Sequence, residues 1–92
     1  MDNIVLNAIA NPVRLKLLYC LSRERKNVLQ LIEKCGLSQS AVSQHLLKLK
    51  GAGLVKDERE GKFVYYSLVN PGTVLLIRTI DNFLKEMRNI KS

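Results

Sequence analysis

Between Ser38 and Lys50 the polar side chains are Ser38, Gln39, Ser40, Ser43, Gln44, His45, Lys48 and Lys50, and no acidic residue interrupts them. Amides and hydroxyls of this kind can donate to and accept from base edges, and lysine neutralises phosphate. Ala41, Val42, Leu46, Leu47 and Leu49 supply an apolar face for the same segment, as an amphipathic helix requires. The polar side can then lie against a polyanion without charge repulsion. Fifteen Lys and Arg against eight Asp and Glu, a net charge of +7, suit such a partner.

Other reactive residue types carry less. His45 can be a metal ligand, a pH switch or a polar contact; no second ligand stands at metal-site spacing on its segment, which favours a nucleic-acid contact. Cys20 and Cys35 are the only cysteines and lack C-x-x-C spacing, so reduced thiols are expected. There is no phosphate-cradling glycine loop, no paired catalytic carboxylates and no Cys/His or Ser/His/Asp constellation, so neither an enzyme nor a cofactor is expected. No run approaches the roughly 18 apolar residues of a membrane span, and Met1, Asp2 and Asn3 form no basic leader. A cytoplasmic protein is the expectation.

Ninety-two residues fit one domain, 1–92, mainly α with a small β-hairpin. Ile4, Val5, Leu6 and Ile9 mark a short first helix ending before Pro12. Asn11 and Pro12 cap a second helix carrying Val13, Leu17, Leu18 and Leu21 up to the polar run 22–26. Asn27 opens a third helix, about 27–35, with Val28, Leu31 and Ile32 on one side, and Gly36 closes it. Ser38 caps a fourth, which stops near Gly51 and Gly53. Two helices joined by so tight a turn form a helix-turn-helix. Alternation across Val64, Tyr66 and Leu68, with a turn at Glu60-Gly61, predicts a hairpin whose tip carries Arg59 and Lys62 within reach of a phosphate backbone.

Asn70 and Pro71 cap a fifth helix, about 72–89. In it Leu76, Ile80, Phe83, Met87 and Ile90 are spaced 4, 3, 4 and 3, the seam of a helix that packs on a partner. The other elements are committed to one another. This seam, with Ile4 and Val5, is therefore expected to form a two-fold interface built from residues 1–10 and 72–90.

The chain resembles the ArsR/SmtB family of winged helix-turn-helix repressors. The residues that carry the resemblance are Ala10-Asn11-Pro12-Val13-Arg14-Leu15, the segment from Leu37 to Leu46, Gly53-Leu54-Val55, and the segment from Gly61 to Leu68. Together they span 10–68 in the right order. The resemblance implies a homodimer on double-stranded DNA, with Gln39, Ser40, Ser43, Gln44 and His45 facing the major groove. It also implies wing contacts from Arg59 and Lys62, and Lys48 suits a phosphate. A dimeric repressor at an inverted-repeat operator is the leading expectation.

The chain departs from its apparent relatives at the sensor positions. The third helix lacks a Cys-x-Cys pair and the fifth has no histidine, so no metal-sensing site is expected. Relatives that sense oxidants pair a cysteine of the second helix with one of the last. Here the last helix has none. With the second and third helices antiparallel, Cys20 should face roughly residue 31, about four residues or 6 Å from Cys35, which argues against a bridge. A thiol-responsive repressor stays open as an alternative, with the effector unassigned. A winged helix used only for protein contacts is another, against which the Ser- and Gln-rich face speaks, since protein-interface cores favour aromatics and Met.

Overall fold

A computed structural model describes the backbone of residues 3–91 and the side chains of 4–89. Met1, Asp2, Ser92 and the side chain of Ile90, the last residue of the expected seam, lie outside the described residues. The helices are α1 (Asn3–Ile9), α2 (Pro12–Arg23), α3 (Val28–Cys35), α4 (Gln39–Gly51) and α5 (Pro71–Lys91). The strands are β1 (Lys26–Asn27), β2 (Val55–Glu60) and β3 (Phe63–Leu68), paired antiparallel in the order β1-β3-β2.

Helix starts follow from side chains that satisfy the orphan N–H groups of a first turn. Asn11 Oδ1 accepts from the N–H of Val13 at 2.9 Å and of Arg14 at 3.0 Å. Asn27 and Gln30 form a reciprocal capping box, each bond 2.9 Å. Asn70 Oδ1 accepts from Thr73 N–H at 2.9 Å and starts α5.

The described core is one cluster. Leu17 and Leu18 of α2, Leu31 of α3, Val42, Leu46 and Leu49 of α4 and Ile77 of α5 are almost free of solvent. No helix among the described residues is long and apolar enough to cross a membrane.

Two local features differ from the expectation. The polar run after α2 is not all loop: Lys26 pairs with Tyr66 and Asn27 with Tyr65. Lys26 is buried, and its ammonium donates to the Cys20 carbonyl at 2.8 Å, closing the C-terminus of α2. Two residues are too few to show strand periodicity, so tertiary approach alone makes this strand.

The second difference corrects the cysteine argument. Cys20 and Cys35 are in contact, their Sγ atoms 3.2 Å apart. The antiparallel register placed the middle of α3 opposite Cys20. Instead Lys16, one turn before Cys20 on α2, donates to the Cys35 carbonyl at 3.2 Å. Two residues one helical turn apart thus meet the same residue, so the end of α3 lies across α2 at this point.

Candidate nucleic-acid interface

The turn that presents α4 is built from two devices. Gly36 ends α3 in the left-handed region at φ 66°, and its N–H donates to the Ile32 carbonyl at 2.8 Å. Such a backbone suits glycine because a Cβ would crowd the following carbonyl. Two residues on, Ser38 Oγ accepts from Ala41 N–H at 3.2 Å. Burial of Val42, Leu46 and Leu49 then fixes the rotation of α4 about its axis. Ser38, Gln39, Ser40, Ser43, Gln44, Lys48 and Lys50 are left exposed.

His45 stands apart from that set. It is half-buried, with Nδ1 3.4 Å from Arg14 Nη1. Burial first, then the charges of Arg14 and Lys48, hold the imidazole below its ordinary titration range. The ring is therefore neutral near pH 7 and Nδ1 can accept from the guanidinium. Arg14 is itself buried and donates to the carbonyls of Ala8 at 2.8 Å and Asn7 at 2.9 Å. One side chain on α2 thus ties the end of α1 to the side of α4. The resemblance put His45 among the groove-facing residues; the structure sets it at the edge of that face, against α2.

Leu47 was expected in the core and is 73% exposed. Val42, Leu46 and Leu49 already follow the 4,3 spacing of a buried stripe, and 47 falls outside it. Leu47 instead lies three and four residues beyond Gln44 and Ser43, on the polar stripe. There its methyls suit a thymine methyl or a sugar. The spacing held this signal, but the apolar side chain masked it.

The wing sorts its charges by face. Cross-strand partners share a face, and Glu58 opposes Tyr65, Arg59 opposes Val64 and Glu60 opposes Phe63. Asp57 and Arg59 are on the face turned to α4, where Lys50 donates to Asp57 at 2.9 Å. Glu58 and Glu60 are on the opposite face. There Arg25 stacks 4.4 Å over the Tyr65 ring and pairs with Glu60, whose carboxyl it holds below the usual carboxylate range. Lys62 sits at the tip, 5.6 Å over the Phe63 ring. So β2, which reads as acidic, turns Arg59 toward α4 and two of its carboxylates away.

The residues of the expected two-fold seam separate into two groups. Ile4, Leu76, Phe83 and Met87 are exposed, Phe83 at 58%. Val5 and Ile80 pack against the core of their own chain. Ile77, which the seam spacing passed over, is the residue that anchors α5. Beside it a groove of about 740 Å³ opens between α2 and α5, lined in part by Leu15, Ile77, Ile80 and Leu84. Among the described residues no three His, Cys, Asp or Glu side chains gather into a metal-holding group.

Residues 11–57 match the profile described as "Bacterial regulatory protein, arsR family". The chain is 50% identical over 77 residues to the nodulation protein NolR of Rhizobium meliloti, a match that covers 84% of this chain and 63% of that protein. It is 38% identical over 81 residues to the transcriptional repressor PagR of Bacillus anthracis, covering 87% of this chain and 81% of PagR. The chain therefore spans less than two thirds of NolR and most of PagR. A solved homodimeric winged helix-turn-helix DNA-binding domain, Mb0332 from Mycobacterium bovis, superposes with a TM-score of 0.83 at 28% identity, over 92% of this chain and 79% of that one. Sequence profile, repressor relatives and winged-helix geometry agree, and the chain belongs to the ArsR family of bacterial regulatory proteins.

Proposed function

We propose that this chain is a dimeric, sequence-specific DNA-binding repressor at an inverted-repeat operator, acting in the cytoplasm as a single domain over 1–92. Two copies join through the α1 and α5 segments, within 1–10 and 72–90, and set their α4 helices in successive major grooves about one helical turn apart. The observation that carries this reading is the exposed face of α4, acid-free from Ser38 to Lys50 and flanked by a wing that turns Arg59 the same way. Ser40, Ser43 and Gln44 supply base-edge contacts, with Gln39 and Ser38 at the helix start. Lys48, Arg59 and Lys62 meet phosphates. The repressor relatives support the same direction of control.

The reading is tested by selecting bound duplexes from a random pool, then repeating the selection with Gln44→Ala and Arg59→Ala. Gln44→Ala should relax preference at one position of each half-site, a loss of about 1–3 kcal/mol of discrimination. Arg59→Ala should lower affinity for all sequences alike and reduce the salt slope by about one. A dimer engaging about 6–10 phosphates should lose about 10³–10⁵ in affinity between about 50 and 200 mM salt. A flat salt titration, or a pool that returns no inverted repeat, would count decisively against operator binding.

A further inference from the structure

The DNA-facing surface makes no use of Cys20 and Cys35, yet their sulfurs touch at 3.2 Å. The two thiols sit in unlike surroundings. Cys35 is buried in the core, at 4% exposure. Cys20 is half-buried and opens onto a polar pocket of about 570 Å³ that carries Arg23, Lys26 and Lys34 against one acid, Glu24. A cationic rim beside an accessible sulfur favours the thiolate and attracts anionic or polar oxidants. A second sulfur waits directly behind it.

We propose that Cys20 and Cys35 are a hydroperoxide-reactive pair that closes to an intramolecular disulfide, with Cys20 attacking and Cys35 resolving, and that the bond lowers operator affinity. The effect on DNA rests on the repressor reading above; the bond chemistry does not.

In the first step the Cys20 thiolate attacks one peroxide oxygen. The O–O bond breaks, the other oxygen leaves as water or an alcohol, and Cys20 becomes a sulfenic acid. In the second step the Cys35 sulfur attacks the Cys20 sulfur. The S–O bond breaks, and the departing hydroxide takes the Cys35 proton and leaves as water. Two thiols lose one electron pair between them and the peroxide gains it.

Burial first, and contact with Cys20 second, push the Cys35 thiol up to about 12. It therefore stays protonated and out of contact with the oxidant until a sulfenic acid forms beside it, which fixes the order of the two cysteines.

The bond reaches DNA binding through α3. A disulfide needs the sulfurs at about 2.05 Å, so they must close by roughly 1 Å. Cys35 immediately precedes the Gly36 cap and stands three residues before the Ser38 cap of α4. Drawing the end of α3 toward α2 re-aims α4 relative to the scaffold of α2 and α5. In a two-fold dimer that changes both recognition helices at once.

The test uses the full chain and hydrogen peroxide. Reduced and treated protein are compared by intact mass, by non-reducing peptide mapping and by binding to the selected operator. Treatment should remove two hydrogens per chain, link the Cys20 and Cys35 peptides within one chain, and weaken operator binding about tenfold, within the usual span of allosteric coupling. Dithiothreitol should reverse all three changes. Cys20→Ser, at the more accessible position, should keep the reduced affinity and ignore peroxide. Cys35→Ala should stop at a sulfenic acid trapped by dimedone.

A missing link, a link between chains, or a correct link with unchanged affinity would each overturn the proposal. Reduced protein that forms the link but never binds DNA would overturn the repressor reading instead, and with it the regulatory part.

Discussion

At the scale of single residues, Arg14 and His45 are the pair whose surroundings decide most. The Arg14 guanidinium serves two α1 carbonyls and lies beside the His45 ring, all in a buried position. Arg14→Ala should cost roughly 2 kcal/mol, since hydrogen bonds to charged groups contribute about 1.5–3 kcal/mol and the carbonyls lose their partner. Thermal unfolding would show it. His45 is held below its ordinary range, so the unfolded chain takes up the proton first as pH falls. Its contribution to stability is full above the unfolded value of about 6.5 and declines as pH drops toward the lower folded value. Urea midpoints at about pH 7.5 and about pH 5.5 should therefore differ more in the wild type than in His45→Gln. Equal differences would show that His45 is not the responsible group. Leu47 offers a third test: if it meets a thymine methyl, Leu47→Ala should alter operator preference at one A·T position and leave stability nearly unchanged, because it is so exposed.

At the scale of elements, the turn between α3 and α4 sets the direction of the DNA-facing helix, and its backbone makes a prediction with a built-in control. A Cβ at Gly36 would meet nothing within 4 Å, yet φ is +66° there. Gly36→Ala should thus destabilise by about 1 kcal/mol through conformation alone. Gly51 also has open space around it but closes α4 without a positive φ. Gly51→Ala should be neutral or stabilising, by up to about 1 kcal/mol. Opposite signs in calorimetry would confirm that backbone geometry, not packing, selects the residue at the turn. The wing shows the same logic in its charges. Strand alternation and the register with β3 send Glu58 and Glu60 to one face and Arg59 to the other, which a count of charges along β2 cannot reveal.

At the scale of the whole molecule, one copy leaves a good deal of apolar surface uncovered. Leu75, Leu76, Phe83, Leu84 and Met87 of α5 are all exposed, with Ile4 of α1, and a small domain commonly covers such faces by association. Phe83→Asp should leave the fold intact, because Phe83 is outside the core. The variant should sediment as a monomer and bind the operator about 10² or more weaker, because the second half-site contact is no longer intramolecular. A variant that stays dimeric with undiminished affinity would move the two-fold contact elsewhere.

The amino-acid sequence by itself determined where the helices begin. Asn11, Asn27, Ser38 and Asn70 each satisfy N–H groups two or three residues away, an interaction that needs no tertiary partner. It also determined the acid-free stripe of α4, because 3.6-residue periodicity is local. Only the tertiary structure decided the contacts that depend on how helices cross. Among these are the pairing of Lys26 and Asn27 with β3, the turn of His45 toward Arg14, the place of Ile80 and Val5 in the chain's own core, and the meeting of Cys20 with Cys35. Each joins residues from different elements. Their separation follows from the packing of α1, α3, α4 and the sheet around α2, a property that no spacing along the chain records.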